Sequence, residues 1–447
     1  MKEQKDFMVK SIEDIMATEQ EEISFSTHKS AHKLDNDSWQ KVGLMLVTSF
    51  NCVYILGYSN LILVPLGLVW GIIGMVVLGA FSLYANLLLA NLYIIDGQRF
   101  IRYRDLVGHV FGKKMYYITW ALQFAHFILC NMGFLLLSGR SLKDIFLEEN
   151  SKWVPLKLPE FIMISGFTYF IFAFWVPHLS ALGMWYGISA FFTVLYIAIS
   201  MIISIKDGKS GSKDYNITGQ KEEKIFNALG AIAAIVFANN SGMLPEIQAT
   251  LQRPAIKNMH KALYLQFTFG IAIYYMVTIV GYWAYGSSIS DYMLGDLING
   301  PRWAKILANS SVFLQTIVSQ HIFCVPVHEA LDTRFCKLDE HESSVHNLIT
   351  RFILRALFFT FSTLCAAMFP FLGDFVTLVG ALSLVPLTFL FPALVFLKVK
   401  WCRISTWEKS WHIFTVVLFG LLTLGSTISA IRLIIINAKT YHVFANT

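Results

Sequence analysis

Eleven runs of mostly apolar residues, each long enough to cross a lipid bilayer as a helix, follow one another along this chain. They lie near 41–66, 68–95, 116–139, 159–177, 183–205, 226–250, 262–285, 303–328, 352–371, 375–397 and 412–437. A crossing helix needs about 20 such residues. In hydrocarbon every backbone N–H and C=O must be paired within the protein, which leaves helices as the structure for runs of this length. The expected fold class is therefore an all-α integral membrane protein. The stretches from Tyr116 to Gly139 and from Gly183 to Ile205 contain no Asp, Glu, Lys or Arg. Charged residues make up only 14% of the 447, against about 25% in an ordinary soluble domain, too few to coat a soluble protein of this size.

The connectors set an orientation. That at 96–115 carries Arg99, Arg102, Arg104, Lys113 and Lys114 against Asp96 and Asp105, that at 251–261 carries Arg253, Lys257 and Lys261, and that at 398–409 carries Lys398, Lys400, Arg403 and Lys409. A cytoplasmic N-terminus puts all three inside, as the positive-inside bias requires. The net charge of +6 is thus spread over short connectors and forms no nucleic-acid-binding face. Asn216-Ile217-Thr218, in the connector at 206–225, is a glycosylation sequon on the side assigned outside.

The six cysteines make no disulfide framework. Cys52, Cys130, Cys324 and Cys365 fall within apolar runs, and Cys336 and Cys402 lie in connectors assigned to the cytoplasm. There is no metal-ligand spacing, so neither a metal nor a cofactor is implied. The polar beginning of the chain has no apolar core, and no cleavable signal peptide is expected. This reading divides the chain into five parts. A cytoplasmic tail at 1–38, disordered up to about Asp37, precedes a first five-helix unit at 39–205 and an extracellular connector at 206–225. A second five-helix unit at 226–397 follows, then a basic connector, eleventh helix and short extracellular C-terminus at 398–447.

Two of the runs are interrupted. The first reads NCVYILGYSNLILVPLG from Asn51 to Gly67, and the sixth reads FANNSGMLPEIQATL from Phe237 to Leu251. Each places Asn, Ser and Gly at mid-membrane depth ahead of a proline. A broken helix there is tolerated only inside protein or beside a watery cavity, and it exposes N–H groups at one end and carbonyls at the other. Such a pair of poles suits a zwitterion. Its carboxylate is expected on N–H groups where the first span restarts, near Gly57, Tyr58 and Ser59. Its ammonium is expected at carbonyls around Phe237, Ala238 and Asn239. Interruptions in spans one and six divide the first ten helices into two matching units, the pattern of a midplane transport site.

These segments resemble the amino acid/auxin permease family, and within it the plant proline and compatible-solute transporters. The residues carrying the resemblance are YILGYSN and VPLG in span one, SLYANLL in span two and RYRDLVG in the first basic connector. Further along come PHLSALG, GMLPEIQAT, VGYWAYGSS and FPFLGDF. The resemblance implies a leucine-transporter-like fold of two inverted five-helix repeats plus one extra helix, a plasma-membrane location, proton symport, and substrates such as proline, glycine betaine and γ-aminobutyrate. The chain departs from that pattern at Asn60, usually Gly, and at Asn239, usually aromatic. An amide at Asn239 removes a cation–π contact for a quaternary ammonium and weighs against betaine more than proline.

The candidate substrate-binding residues are Asn51, Tyr54, Gly57, Tyr58, Ser59, Phe237, Asn239, Asn240, Ser241 and Gly242. Glu246 and His126 are candidates for coupling or gating. Glu246 follows Pro245 in the first turn of the restarted sixth helix, where an acid also serves as an ordinary helix start, yet a carboxyl group at membrane depth is expensive and usually functional. Gln123, His126 and Asn131 share one face of span three, either as a polar cavity wall or as helix-to-helix hydrogen bonds. His321 in span eight reads as packing, while Gln315 and Ser319, four apart, are candidates to line the same cavity. A secondary active carrier is the leading reading, with coupling to protons ahead of sodium. A solute-binding membrane sensor is the competing one, and a membrane enzyme lacks any nucleophile, metal or phosphate-loop motif.

Overall fold

The computed structural model describes residues 34–48, 52–149, 156–176, 179–210, 212–217, 219–337, 340, 344–368 and 372–440. Among them, ten helical runs are long and apolar enough to cross a membrane. The first, Ile55–Asn91, contains two crossings. Gly67 sits at φ 72° and ψ 168°, a conformation open in practice only to glycine. A Cβ placed on Gly71 would lie 3.8 Å from the Leu63 Cα, whereas eight residues of straight helix would separate them by about 12 Å. The chain therefore turns back at Gly67. With the half-helix Trp39–Thr48 preceding it, span one ends there and span two runs from 68 to 91.

Spans three to eleven are Lys113–Glu148, Leu158–Trp175, Gly183–Gly208, Lys221–Thr250, Ala255–Ser288, Arg302–Phe335, Val345–Met368, Phe375–Lys400 and Thr406–Ile436. Contacts between connectors agree with this count through span eight among the described residues. Asp35, ahead of span one, pairs with Arg99 between spans two and three and with Arg253 between six and seven. On the opposite side, Gly67 lies against Ile217 between spans five and six, and Arg140 at the end of span three pairs with Asp291 between seven and eight. An odd or missing crossing would break that parity.

Three details differ from the expected boundaries. Residues 35–37 do not belong to a disordered tail: Asp35, Asn36 and Asp37 donate backbone N–H bonds to Ala249 and Thr250, and Gln252 donates back to Asp37. The connector at 251–261 is mostly helical, because Ala255–Leu265 continues through one wide turn, Gln266–Gly270, into span seven. The basic connector at 96–115 holds a two-residue hairpin, Ile94–Ile95 with Gln98–Arg99, turned by Asp96 and Gly97 at positive φ, and a short amphipathic helix, Tyr103–Phe111.

Spans six, eight and ten form the interior, each with 78% of its most apolar window buried, while span nine has 17%. In lipid this means that span nine packs on hydrocarbon and the polar residues of the inner three face protein. The inner spans carry Asn239, Asn240, Ser241, Glu246, Gln315, Ser319, Gln320 and Ser383, all buried. That is where a site can be built.

Candidate functional site

Span six is broken at mid-crossing. Helix Lys221–Asn239 ends, Asn240 is extended, Gly242 takes φ 66°, and helix Leu244–Thr250 begins with Pro245 in its first turn. Proline lacks the N–H that would otherwise be orphaned there and is preset for a helix start. Gly242 permits the turn because a Cβ at that position would meet His126 and Leu384 at 3.0 Å each.

Span three holds this gap from one side. His126, fully buried, donates from Nε2 to the Ser241 carbonyl at 2.8 Å. A carbonyl only accepts, so the bond places the ring proton on Nε2, leaving Nδ1 to face the Cys130 thiol at 3.6 Å. One turn earlier, the Gln123 side-chain NH2 donates both to the Gly242 carbonyl at 3.0 Å and to Glu246 Oε1 at 3.1 Å. Oε1 also accepts the Tyr103 backbone N–H at 3.1 Å, and Oε2 completes no hydrogen bond among the described residues. Glu246 is buried. Asn131, on the same helix, instead accepts from Gln320 of span eight at 2.6 Å.

An aromatic wall closes the other side. The Tyr54 ring stands edge-on to Phe237, with centroids 4.9 Å apart, and tilts on Phe134 at 4.8 Å. Its hydroxyl donates to the Cys130 carbonyl at 2.7 Å. Tyr54 of span one, Phe134 of span three and Phe237, in the last turn before the gap in span six, thus pack as one aromatic cluster.

Not every expected residue joins this cluster. Asn51 lies outside the described residues. Span one resumes its helix a turn earlier than expected, at Cys52–Tyr54 and Ile55–Tyr58. The N–H groups of Gly57, Tyr58 and Ser59 are thus inside a helix. Ser59 donates to the Thr278 carbonyl of span seven at 2.9 Å. Gly57 packs on the connector after span seven, where a Cβ would stand 2.9 Å from the Asp291 carbonyl oxygen. Asn240 turns to span two, donating to Ser82 Oγ at 2.9 Å and accepting from Asn86 at 2.8 Å. Asn239 lies beside the Tyr275 phenol of span seven; its carbonyl accepts from Gln266 at 3.5 Å, and its amide atoms complete no hydrogen bond among the described residues.

The site is closed at both ends. On the N-terminal side, Arg99 grips Asp35 through two bonds of 2.9 and 2.7 Å and donates to the Ala249 carbonyl at 3.0 Å. The main-chain bonds of residues 35–37 to 249–252 tie the same segment to the end of span six. On the opposite side, Arg140 pairs with Asp291 at 2.6 Å and Asn60 donates to the Ile289 carbonyl at 2.6 Å. In the sequence Arg99 fits an inside-positive charge and Asp35 a polar tail, and a pair 64 positions apart leaves no local pattern. Below Glu246 a narrow cleft on the N-terminal side is lined by Arg102, Arg104, Gln123, Pro326 and Glu329. Burial, and after it the like charge of Arg104, moves the Arg102 pKa below its ordinary value, though an arginine remains a cation throughout the physiological range.

A crossing broken at mid-depth around buried polar groups, with ion-paired closures at both ends, belongs to a leucine-transporter-like fold. The chain belongs to the transmembrane amino acid transporter protein family, whose profile matches residues 35–434. It is 30% identical over 367 residues to GABA transporter 1 of Arabidopsis thaliana, covering 78% of this chain and 80% of that one. It is 29% identical over 365 residues to lysine histidine transporter-like 6 of the same plant, covering 78% and 80%. Among solved structures it is similar to MhsT in complex with L-phenylalanine, with a TM-score of 0.56 at 13% identity over 90% of this chain and 100% of that one. At that identity the likeness concerns the fold alone. Amino acid transport is the activity that family membership gives.

Proposed function

We propose that this chain is a proton-coupled importer of small zwitterionic solutes, with proline and γ-aminobutyrate as leading candidates and glycine betaine beside them. It works by alternating access in the plasma membrane, N-terminus in the cytoplasm. The observation that carries the reading is the gap at Asn240–Met243, preceded by the aromatic cluster of Tyr54, Phe134 and Phe237 and followed by the buried carboxyl group of Glu246. The substrate carboxylate is assigned to the first turn of the resumed span one, Cys52 to Ile55, and the ammonium to carbonyls at the end of the first half of span six. A close aromatic wall favours compact substrates, and the similarity to a GABA transporter supports an amine and a carboxylate separated by a short chain. The resemblance to proline transporters supports proline.

Sodium coupling is the second reading, because carbonyls at the end of the first half-helix suit a cation. Of these, among the described residues, Thr48 accepts from Thr193 at 2.9 Å and Gln315 at 3.3 Å, and Val47 accepts from Tyr274 at 3.0 Å. That occupancy favours the proton, with Glu246 as its carrier. The basic connectors share a side with residues 35–37, which supports the cytoplasmic assignment.

Competition for labelled-proline uptake by γ-aminobutyrate, betaine and lysine across external pH tests the reading. We expect uptake that rises with external acidity and is displaced by the first two more than by lysine. Uptake displaced best by lysine would overturn the substrate class, and saturable binding without accumulation would overturn the carrier in favour of a sensor.

A further inference from the structure

We propose that Gln123 is the positioning residue that transmits the protonation state of Glu246 to the unwound segment of span six. The inference rests on the reading of Glu246 as the proton carrier and goes beyond it by naming the link between carrier and substrate site.

One side-chain NH2 group has two hydrogens, and here both are committed. One goes to the Gly242 carbonyl in the gap and the other to Glu246 Oε1. Gln123 is buried, at 3% exposure. Its amide is therefore fixed by its two acceptors, and a change at one is felt at the other. An ionised carboxylate is a stronger acceptor than a protonated one. When Glu246 takes a proton, its hold on the amide weakens, and the amide is free to settle toward Gly242. Gly242 is the residue at positive φ, so the amide bonds the carbonyl of the residue on which the turn depends.

The surroundings leave this as the direct route. The carboxyl group is faced by Tyr103 and by Arg102 and Arg104 from the connector between spans two and three, by Gln123 from span three, and by Glu329 across the cleft from span eight. Of these, Gln123 also bonds the gap, through the Gly242 carbonyl. His126 holds the neighbouring Ser241 carbonyl and has no bond to Glu246. Its ring donates a single proton and fixes the loop without reading the carboxyl group.

Gln123→Met keeps the length and shape of the side chain and removes both donors. In cells expressing the full chain, the KM of labelled proline or γ-aminobutyrate is measured at several external pH values, beside substrate exchange under counterflow. Wild type is expected to show a KM that depends on pH. Gln123→Met is expected to retain exchange within about threefold while its KM loses most of that dependence. Gln123→Met added to Glu246→Gln is expected to change the pH profile no further, because the pair acts as one unit. A purely structural role would lower maximal rate or surface expression and leave the pH profile of KM as in wild type, and that outcome overturns the proposal. If Gln123→Met does not reach the membrane, Gln123→Asn, too short to span both acceptors, carries the same expectation. If Glu246→Gln itself keeps the wild-type pH profile, the reading of Glu246 falls. If only Gln123→Met keeps it, the link falls and Glu246 stands.

Discussion

Arg99 and Asp35 lie 64 positions apart in the chain and meet in a two-pronged ion pair of 2.9 and 2.7 Å at the N-terminal end of the transport site. Arg99 is 6% exposed and Asp35 31%, so one partner is sheltered and the other reaches water. The same guanidinium donates to Ala249, the last turn of the broken span six. The pair therefore ties the segment before span one to the end of span six.

Removing Arg99 takes away charge-assisted bonds worth about 1.5 kcal/mol, the low end of the range because Asp35 is partly solvated. The expected result of Arg99→Ala is about tenfold faster efflux of preloaded substrate, with concentrative uptake reduced. The swapped pair Asp35→Arg with Arg99→Asp is expected to recover part of the loss. Efflux unchanged in Arg99→Ala would show that the pair is no latch.

Gly242→Ala is expected to raise KM about tenfold at near-normal surface expression. The positive φ costs a residue with a Cβ roughly 1–2 kcal/mol, and the added methyl would press on His126 and Leu384. Uptake kinetics beside surface biotinylation decide it. An unchanged KM would mean the gap does not touch substrate.

Tyr54→Phe removes the bond to the Cys130 carbonyl, worth about 1 kcal/mol, and frees the ring that faces Phe237. Its KM is expected to rise about fivefold with maximal rate retained. Ser59→Ala, whose hydroxyl bonds span seven, is expected to stay within about twofold of wild type. Equal effects of the two would contradict the placement of the site.

Asn60→Gly removes the bond to Ile289 and loosens the closure opposite the tail. A shift toward the state open on that side lowers the apparent KM for external substrate, by about fivefold for a bond near 1 kcal/mol, while turnover slows. A higher KM would place Asn60 in binding instead.

The architecture was legible because lipid imposes a strict rule: runs of this length must be helices, and in span six a glycine closely followed by a proline marks where the helix breaks. Gly242 and Pro245 stood out for that reason. The facing of Ser59, Asn239 and Asn240 was not legible. Successive helix residues differ by about 100° around the axis, and a break erases the phase from which a face is counted. Asn240 accordingly turned to span two and Ser59 to span seven. The Asp35–Arg99 closure was hidden differently, since the positive-inside bias already explained Arg99 and nothing local pointed to its partner. Gln123 was placed on the right face of span three, but its two acceptors lie in span six and appear only once the helices are packed.

The measurement that tests the account most directly is accumulation by purified protein in sealed vesicles, free of sodium, with the outside more acid than the inside. Wild type is expected to concentrate labelled proline or γ-aminobutyrate above equilibrium until a proton carrier collapses the gradient, and Glu246→Gln to reach equilibrium and no further. Accumulation that requires a sodium gradient and ignores the pH difference, or a Glu246→Gln protein that concentrates substrate as well as wild type, would contradict it.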